Sequence, residues 1–124
     1  MTSNGYLDLG AFKAALERQQ ETIDIDVPGF GKLKLAKLNA LESIEMLEYQ
    51  ESLGRETTAS NLKGSIRVIA KAAVDSEGNR FLDNEEGVAL VGQMKIDDVI
   101  HIGNMLLGHA NENVAGEVDS AKKN

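Results

Sequence analysis

The sequence predicts a small, mainly α domain (α+β) with a short β-hairpin near its start and a polar C-terminal tail. Three observations carry that prediction. Most apolar residues recur at steps of three and four, the spacing of one helix face. One segment alone alternates apolar and polar residues on both sides of a Pro–Gly turn. Apolar residues make up 42% of the chain and aromatics only 4%, so the core must be aliphatic. The 124 residues are the length of one ordinary domain. We expect a single globular unit over 1–108, followed by a tail over 109–124.

The first element is the segment "LDLGAFKAALERQQ". Asp8 can cap a short helix that runs through Leu16 or a little beyond, with Leu9, Phe12 and Leu16 near one another on one face. So short a helix is marginal by itself.

The hairpin is expected over about 22–38. Ile23, Ile25 and Val27 face one way, and Thr22, Asp24 and Asp26 the other. Beyond "PGFG", Leu33 and Leu35 alternate with Lys32, Lys34 and Lys37. One strand thus has an acidic outer face and the other a basic one. Cross-strand Asp–Lys pairs, each worth up to ~1 kcal/mol, favour this register.

Asn39, with Glu42 three residues on, forms a capping box that opens a helix over about 40–53, and Gly54 stands at its end. Leu41, Ile44 and Leu47 make one apolar set; Met46, Tyr49 and Leu53 make another. Glu42, Glu45, Glu48 and Glu51 step round the outside as a solvated row. A second helix is expected over about 61–73, with Leu62, Ile66, Ile69 and Ala73 as its core stripe. Arg67 and Lys71 lie off that stripe, and Gly64 is either a weak spot or a close-packing point. A third is expected over about 84–94, with Gly87, Leu90, Val91 and Met94 on one face. A last one is expected over about 98–107, capped by Asp97, with Val99, Ile102, Gly103 and Leu106 on one stripe. That last helix carries more apolar surface than a small helix ordinarily buries.

Between the second and third of these helices lies "DSEGNRFLDNEE". It sets Asp75, Glu77, Asn79 and Glu86 at the first, third, fifth and twelfth positions of a calcium loop. Such a loop needs glycine at its sixth position, and Arg80 stands there; the glycine is Gly78, at the fourth. A turn explains the same residues. Asp75 initiates it, Gly78 or Asn79 takes a positive φ, and Phe81 and Leu82 return to the core. Asp83 then caps the next helix, with Glu86 completing a capping box. We therefore expect no metal site here.

The remaining chemistry is sparse. Absence of cysteine excludes disulfides, thiolate catalysis and zinc–thiolate sites, and fits a reducing compartment. His101 and His109 are eight residues apart and form no metal-binding pair. The serines lie in no nucleophile-elbow pattern, and "GFGK" lacks the spacing of a phosphate loop. No catalytic residue and no cofactor site is expected. The net charge of −7 and scattered basic residues argue against nucleic acid and anionic membranes as partners. The N-terminal residues lack a signal-peptide pattern, and no apolar run approaches ~20 residues.

The order of these parts resembles the tail assembly chaperones of long-tailed bacteriophages. The resemblance covers nearly the whole chain: "FKAALERQ", "VPGFGKLKLAKLNALES", "AAVDSEGNRFLDNEEGVALVGQM" and "NMLLGHANENVAGEVDSAKKN". The short connection over 54–60 and the scarcity of aromatics depart from it. The resemblance implies a non-enzymatic, mainly helical protein of the infected host cell's cytoplasm, absent from the mature virion. Such a protein binds the tape measure protein, keeps it soluble, recruits tail tube protein and self-associates. With that implication, Val99, Ile102, Met105 and Leu106 are the expected partner-binding surface. The two rival expectations are a structural tail component retained in the virion and a small calcium-responsive binding module.

Overall fold

A computed structural model describes residues 5–106. The order of elements is α1 (Leu9–Gln19), β1 (Thr22–Val27), β2 (Gly31–Ala36), α2 (Ala40–Ser52), α3 (Thr58–Ala72), β3 (Ala73–Val74) and α4 (Glu85–Val91). A fifth helix, α5, occupies 96–106. The fold is a small α+β domain, mostly helical, with a three-stranded antiparallel sheet in the order β1-β2-β3. No helix among the described residues is long and apolar enough to cross a membrane. The expected tail over 109–124, with His109, lies outside the described residues.

The hairpin forms as its alternation requires. Ile23 lies opposite Leu35 and Ile25 opposite Leu33, while Asp24 faces Lys34 and Asp26 faces Lys32 on the other side. Pro28 and Gly29 occupy the middle of the turn, Gly29 with φ +84°, and the Phe30 N–H donates to the Val27 carbonyl at 2.9 Å. Proline presets the first central φ, and glycine takes the positive one without steric cost.

The third strand is absent from the sequence reading. The helix expected over 61–73 ends at Ala72, and Ala73 and Val74 turn extended to pair with Leu35 and Lys34. Nothing in "KAAVD" interrupts the helical pattern. The open edge of β2 supplies the hydrogen bonds that win. At its other end the same helix starts earlier than expected. Thr57 accepts from the Ser60 N–H at 3.0 Å and Ser60 Oγ accepts from the Thr57 N–H at 2.7 Å, a capping box within "TTAS".

Two further caps differ. Asn84, not Asp83, caps α4, accepting from the Gly87 N–H at 2.6 Å, and the helix closes at Val91 rather than 94. Asp83 is drawn off by Lys71, whose Nζ lies 3.5 Å away. Asp97 lies inside α5, which begins at 96. The boxes at Asn39 and the cap at Asp8 stand as expected.

The core joins Ile25 and Val27 of β1, Leu35 of β2, Ile69, Ala70 and Ala72 of α3, Ala73 of β3, Val91 of α4, and Val99 and Ile102 of α5. Helix α3 is its centre, touching α2, α4 and β2. It approaches closely at small residues. A β-carbon on Gly64 would meet the Gln50 side chain at 2.8 Å, so Gly64 is a packing point. Lys71 is buried in the same crowded region, and not on an outer face as its spacing suggests.

Candidate binding groove

An open groove of about 610 Å³ runs between the hairpin tip and α4. Val27, Leu33 and Ile69 form its floor, and Phe30, Phe81, Leu82, Leu90 and Met94 form its walls. Among the described residues, Lys32 is the only ionisable side chain lining it. Such a cleft has the size of a small-molecule or peptide site. It offers mainly apolar contact, with the Lys32 ammonium and the Gln93 amide as the polar side chains that could set orientation.

The groove exists because three large apolar side chains are left uncovered. Phe30 is 70% exposed, Phe81 47% and Leu90 49%. Each is placed by a local rule. Phe30 sits last in the Pro–Gly turn, at the hairpin tip, and stays out of the core. Phe81 follows the isolated bridge between Val74 and Arg80, which leaves Leu82 to face inward. Leu90 is on the outer side of α4 while Val91 fills the core. The sequence expectation that Phe81 and Leu82 both return to the core is thus half right: only Leu82 does. The signal that could have located the groove is Phe30 itself, since an aromatic residue inside a Pro–Gly turn has nothing local to pack on.

The residues expected to bind a partner are separated by the fold. Val99 is 3% exposed and Ile102 fully buried, so both are core. Leu106 packs against that core, and Met105 lies exposed on the other side of α5. The four do not make one open face. Burial against α3 decides this: Gly103 of α5 lies close to Ser65, so the stripe on α5 is spent inside the molecule.

The turn at Asp75 binds its own backbone. Asp75 Oδ1 accepts from the Glu77 N–H at 2.9 Å and the Asn79 N–H at 3.0 Å. Gly78 carries φ +86° and donates to the Asp75 carbonyl at 3.0 Å. Arg80, in place of the loop glycine, turns inward. Its guanidinium donates to the Lys71 carbonyl at 2.6 Å and to Glu42 Oε1 at 2.9 Å. Among the described residues, no group of three or more His, Cys, Asp or Glu could hold a metal ion.

Lys71 Nζ donates to Glu45 at 2.5 Å and lies 3.5 Å from Asp83. Burial by itself pulls the ammonium pKa down. The hydrogen bond donated to Glu45 and the charges of Asp83 and Glu45 outweigh it, and the pKa stands above the ordinary lysine value. Together Glu42–Arg80 and Glu45–Lys71–Asp83 tie α2 to the end of α3 and to the loop before α4. The glutamate row on α2 is therefore half structural: Glu42 and Glu45 are engaged, and Glu48 and Glu51 face solvent.

Compared with protein-family models, curated proteins and solved structures, the chain matches none.

Proposed function

We propose that this chain is a tail assembly chaperone of a long-tailed bacteriophage, and that the groove beside Phe30 holds apolar segments of the tape measure protein. The observation that supports the reading is the uncovered trio Phe30, Phe81 and Leu90 around an apolar floor. Leaving such side chains partly in water forgoes a share of the ~1.5–3 kcal/mol that fully burying each is worth. A tape measure protein is a long helical chain with apolar stripes that need cover until the tail tube encloses them. A shallow apolar groove can take one helix face and release it again. The chaperone acts in the host cytoplasm without catalysis, brings tail tube protein to the tape measure, and leaves before the virion is complete.

Co-expression tests it. The cognate tape measure protein is expected to be soluble with this chain and insoluble without it. Phe30→Ser with Leu90→Ser is expected to remove that effect while the circular dichroism spectrum stays that of the parent, because both side chains are largely exposed. A tape measure protein equally insoluble with and without the chain overturns the reading. High copy number of the chain in purified particles would favour a structural tail component instead.

A further inference from the structure

Among the described residues, α5 leaves Ile96, Ile100 and Met105 exposed outside the groove, and two other uncovered helix faces complement each other. On α1, Leu9, Phe12 and Leu16 follow at steps of three and four and are 72%, 51% and 44% exposed. No residue of α1 is buried. On α2, Leu41, Ile44 and Leu47 follow at steps of three and are 73%, 50% and 62% exposed. The face of α2 that packs inward is a different one, made by Glu42, Met46, Tyr49 and Leu53.

Charge separates the possible occupants. Helix α2 carries Glu42, Glu45, Glu48 and Glu51 and no basic residue. Glu48 and Glu51 lie four residues beyond Ile44 and Leu47, so they share the apolar face. A second α2 would bring carboxylates against carboxylates, and an anionic lipid surface would do the same. Helix α1 carries Lys13 and Arg18 against Glu17 alone, and Lys13 lies four residues beyond Leu9, beside its stripe. It offers apolar residues at the matching spacing together with the missing positive charge.

We infer that the outer face of α2 is a self-association surface whose occupant is α1 of a second copy of this chain. Within one copy, the Lys37 N–H donates to the Glu21 carbonyl at 2.9 Å, so the chain after α1 is held in the sheet and only Gln20 can act as a hinge. A second copy has no such tether. Reciprocal exchange closes a two-fold dimer with two α1–α2 contacts. Each contact is about three helical turns long, or ~16 Å, so one is marginal and the pair is cooperative. The surface is independent of the groove beside Phe30, and a groove that holds no tape measure segment leaves this association intact.

The chain has no cysteine, which makes cross-linking clean. Phe12→Cys and Ile44→Cys stand at the middle of their stripes, so they meet whether the helices run parallel or antiparallel. The two single variants are mixed and oxidised gently, then resolved without reductant. The expected result is a mixed dimer exceeding both self-linked dimers several-fold. Adding Glu48→Lys and Glu51→Lys to the Ile44→Cys chain is expected to lower its yield about fivefold. These positions are exposed, and unchanged circular dichroism confirms folding of each variant. Three results would overturn the inference: self-linked dimers as abundant as the mixed one, a sedimenting monomer at all concentrations, or a chain carrying both Phe12→Cys and Ile44→Cys that links within itself at high dilution. The last would show that its own α1 covers α2.

Discussion

Arg80 reaches Glu42 across 38 residues of sequence, with guanidinium nitrogen and carboxylate oxygen 2.9 Å apart. The same guanidinium donates to the Lys71 carbonyl at 2.6 Å, and the same Glu42 oxygen accepts from the Asn39 N–H at 3.0 Å. One planar group thus joins the start of α2 to the end of α3. Arg80→Met leaves a mostly buried carboxylate without its cation, and is expected to cost about 2–3 kcal/mol. Arg80→Lys recovers less than half of it, because one ammonium cannot serve both acceptors. Urea midpoints of the two variants measure this.

Lys71 has a signature in pH. Its folded pKa is raised above 10.5, the value of a free lysine. A raised lysine stabilises fully below the unfolded pKa and loses that contribution as pH rises through the folded one. Parent stability is therefore expected to be level in this respect up to about pH 10.5, then to fall. Lys71→Met should lack that alkaline step. Urea titrations from neutral pH to above 11 decide it: a step of equal size in both proteins would remove Lys71 as its source.

Gly87 and Gly64 separate two kinds of close packing. A β-carbon at Gly87 would lie 1.9 Å from the Leu82 carbonyl oxygen, a backbone atom that cannot step aside. Gly87→Ala is expected to cost about 3 kcal/mol or more. At Gly64 the neighbour is the end of the Gln50 side chain, which can swing away. Gly64→Ala gains up to ~1 kcal/mol of helix propensity and should fall within about 1 kcal/mol of the parent. Thermal melts of the pair provide the comparison.

Asp75 is predicted to hold a turn and not an ion. Asp75→Asn keeps the side-chain oxygen that accepts from Glu77 and Asn79, and should be nearly neutral. Asp75→Ala should cost about 1 kcal/mol. Millimolar calcium should produce no heat and no change in melting temperature with the parent. Stabilisation by calcium that vanishes in Asp75→Asn would restore the metal reading.

The α5 stripe is open to the same kind of check. Ile102→Asp buries a charge in the core and should abolish folding, a loss of about 4 kcal/mol or more. Met105→Asp, on the exposed side, should change stability by less than about 0.5 kcal/mol. Equal tolerance of both would return Ile102 to the surface.

Much of the local architecture was legible because its causes are local. The hairpin follows from alternation around Pro28 and Gly29. The α2 cap follows from Asn39 and Glu42, and α1 from Asp8. The helix stripes at Ile69 and Val99 were readable for the same reason. The errors lie where two local options compete and a distant group decides. Asp83 and Asn84 can each cap α4; Lys71 claims Asp83, and Asn84 remains. Ala73 can extend a helix or a strand; the free edge of β2 draws it into the sheet.

The candidate groove was the least legible part. Periodicity marks apolar faces but does not say which of them finds a neighbour. By itself the sequence determined the hairpin, the helices and their amphipathic faces, the turn at Gly78 and the want of a calcium-loop glycine at Arg80, but not the third strand. Only the tertiary structure decided which faces were consumed. It buried Val99 and Ile102 against α3, and left Phe30, Phe81 and Leu90 uncovered beside β2. The physical reason is that burial belongs to pairs of surfaces. A stripe of three or four residues is written locally, whereas its partner lies tens of residues away and is chosen by which packing closes the core.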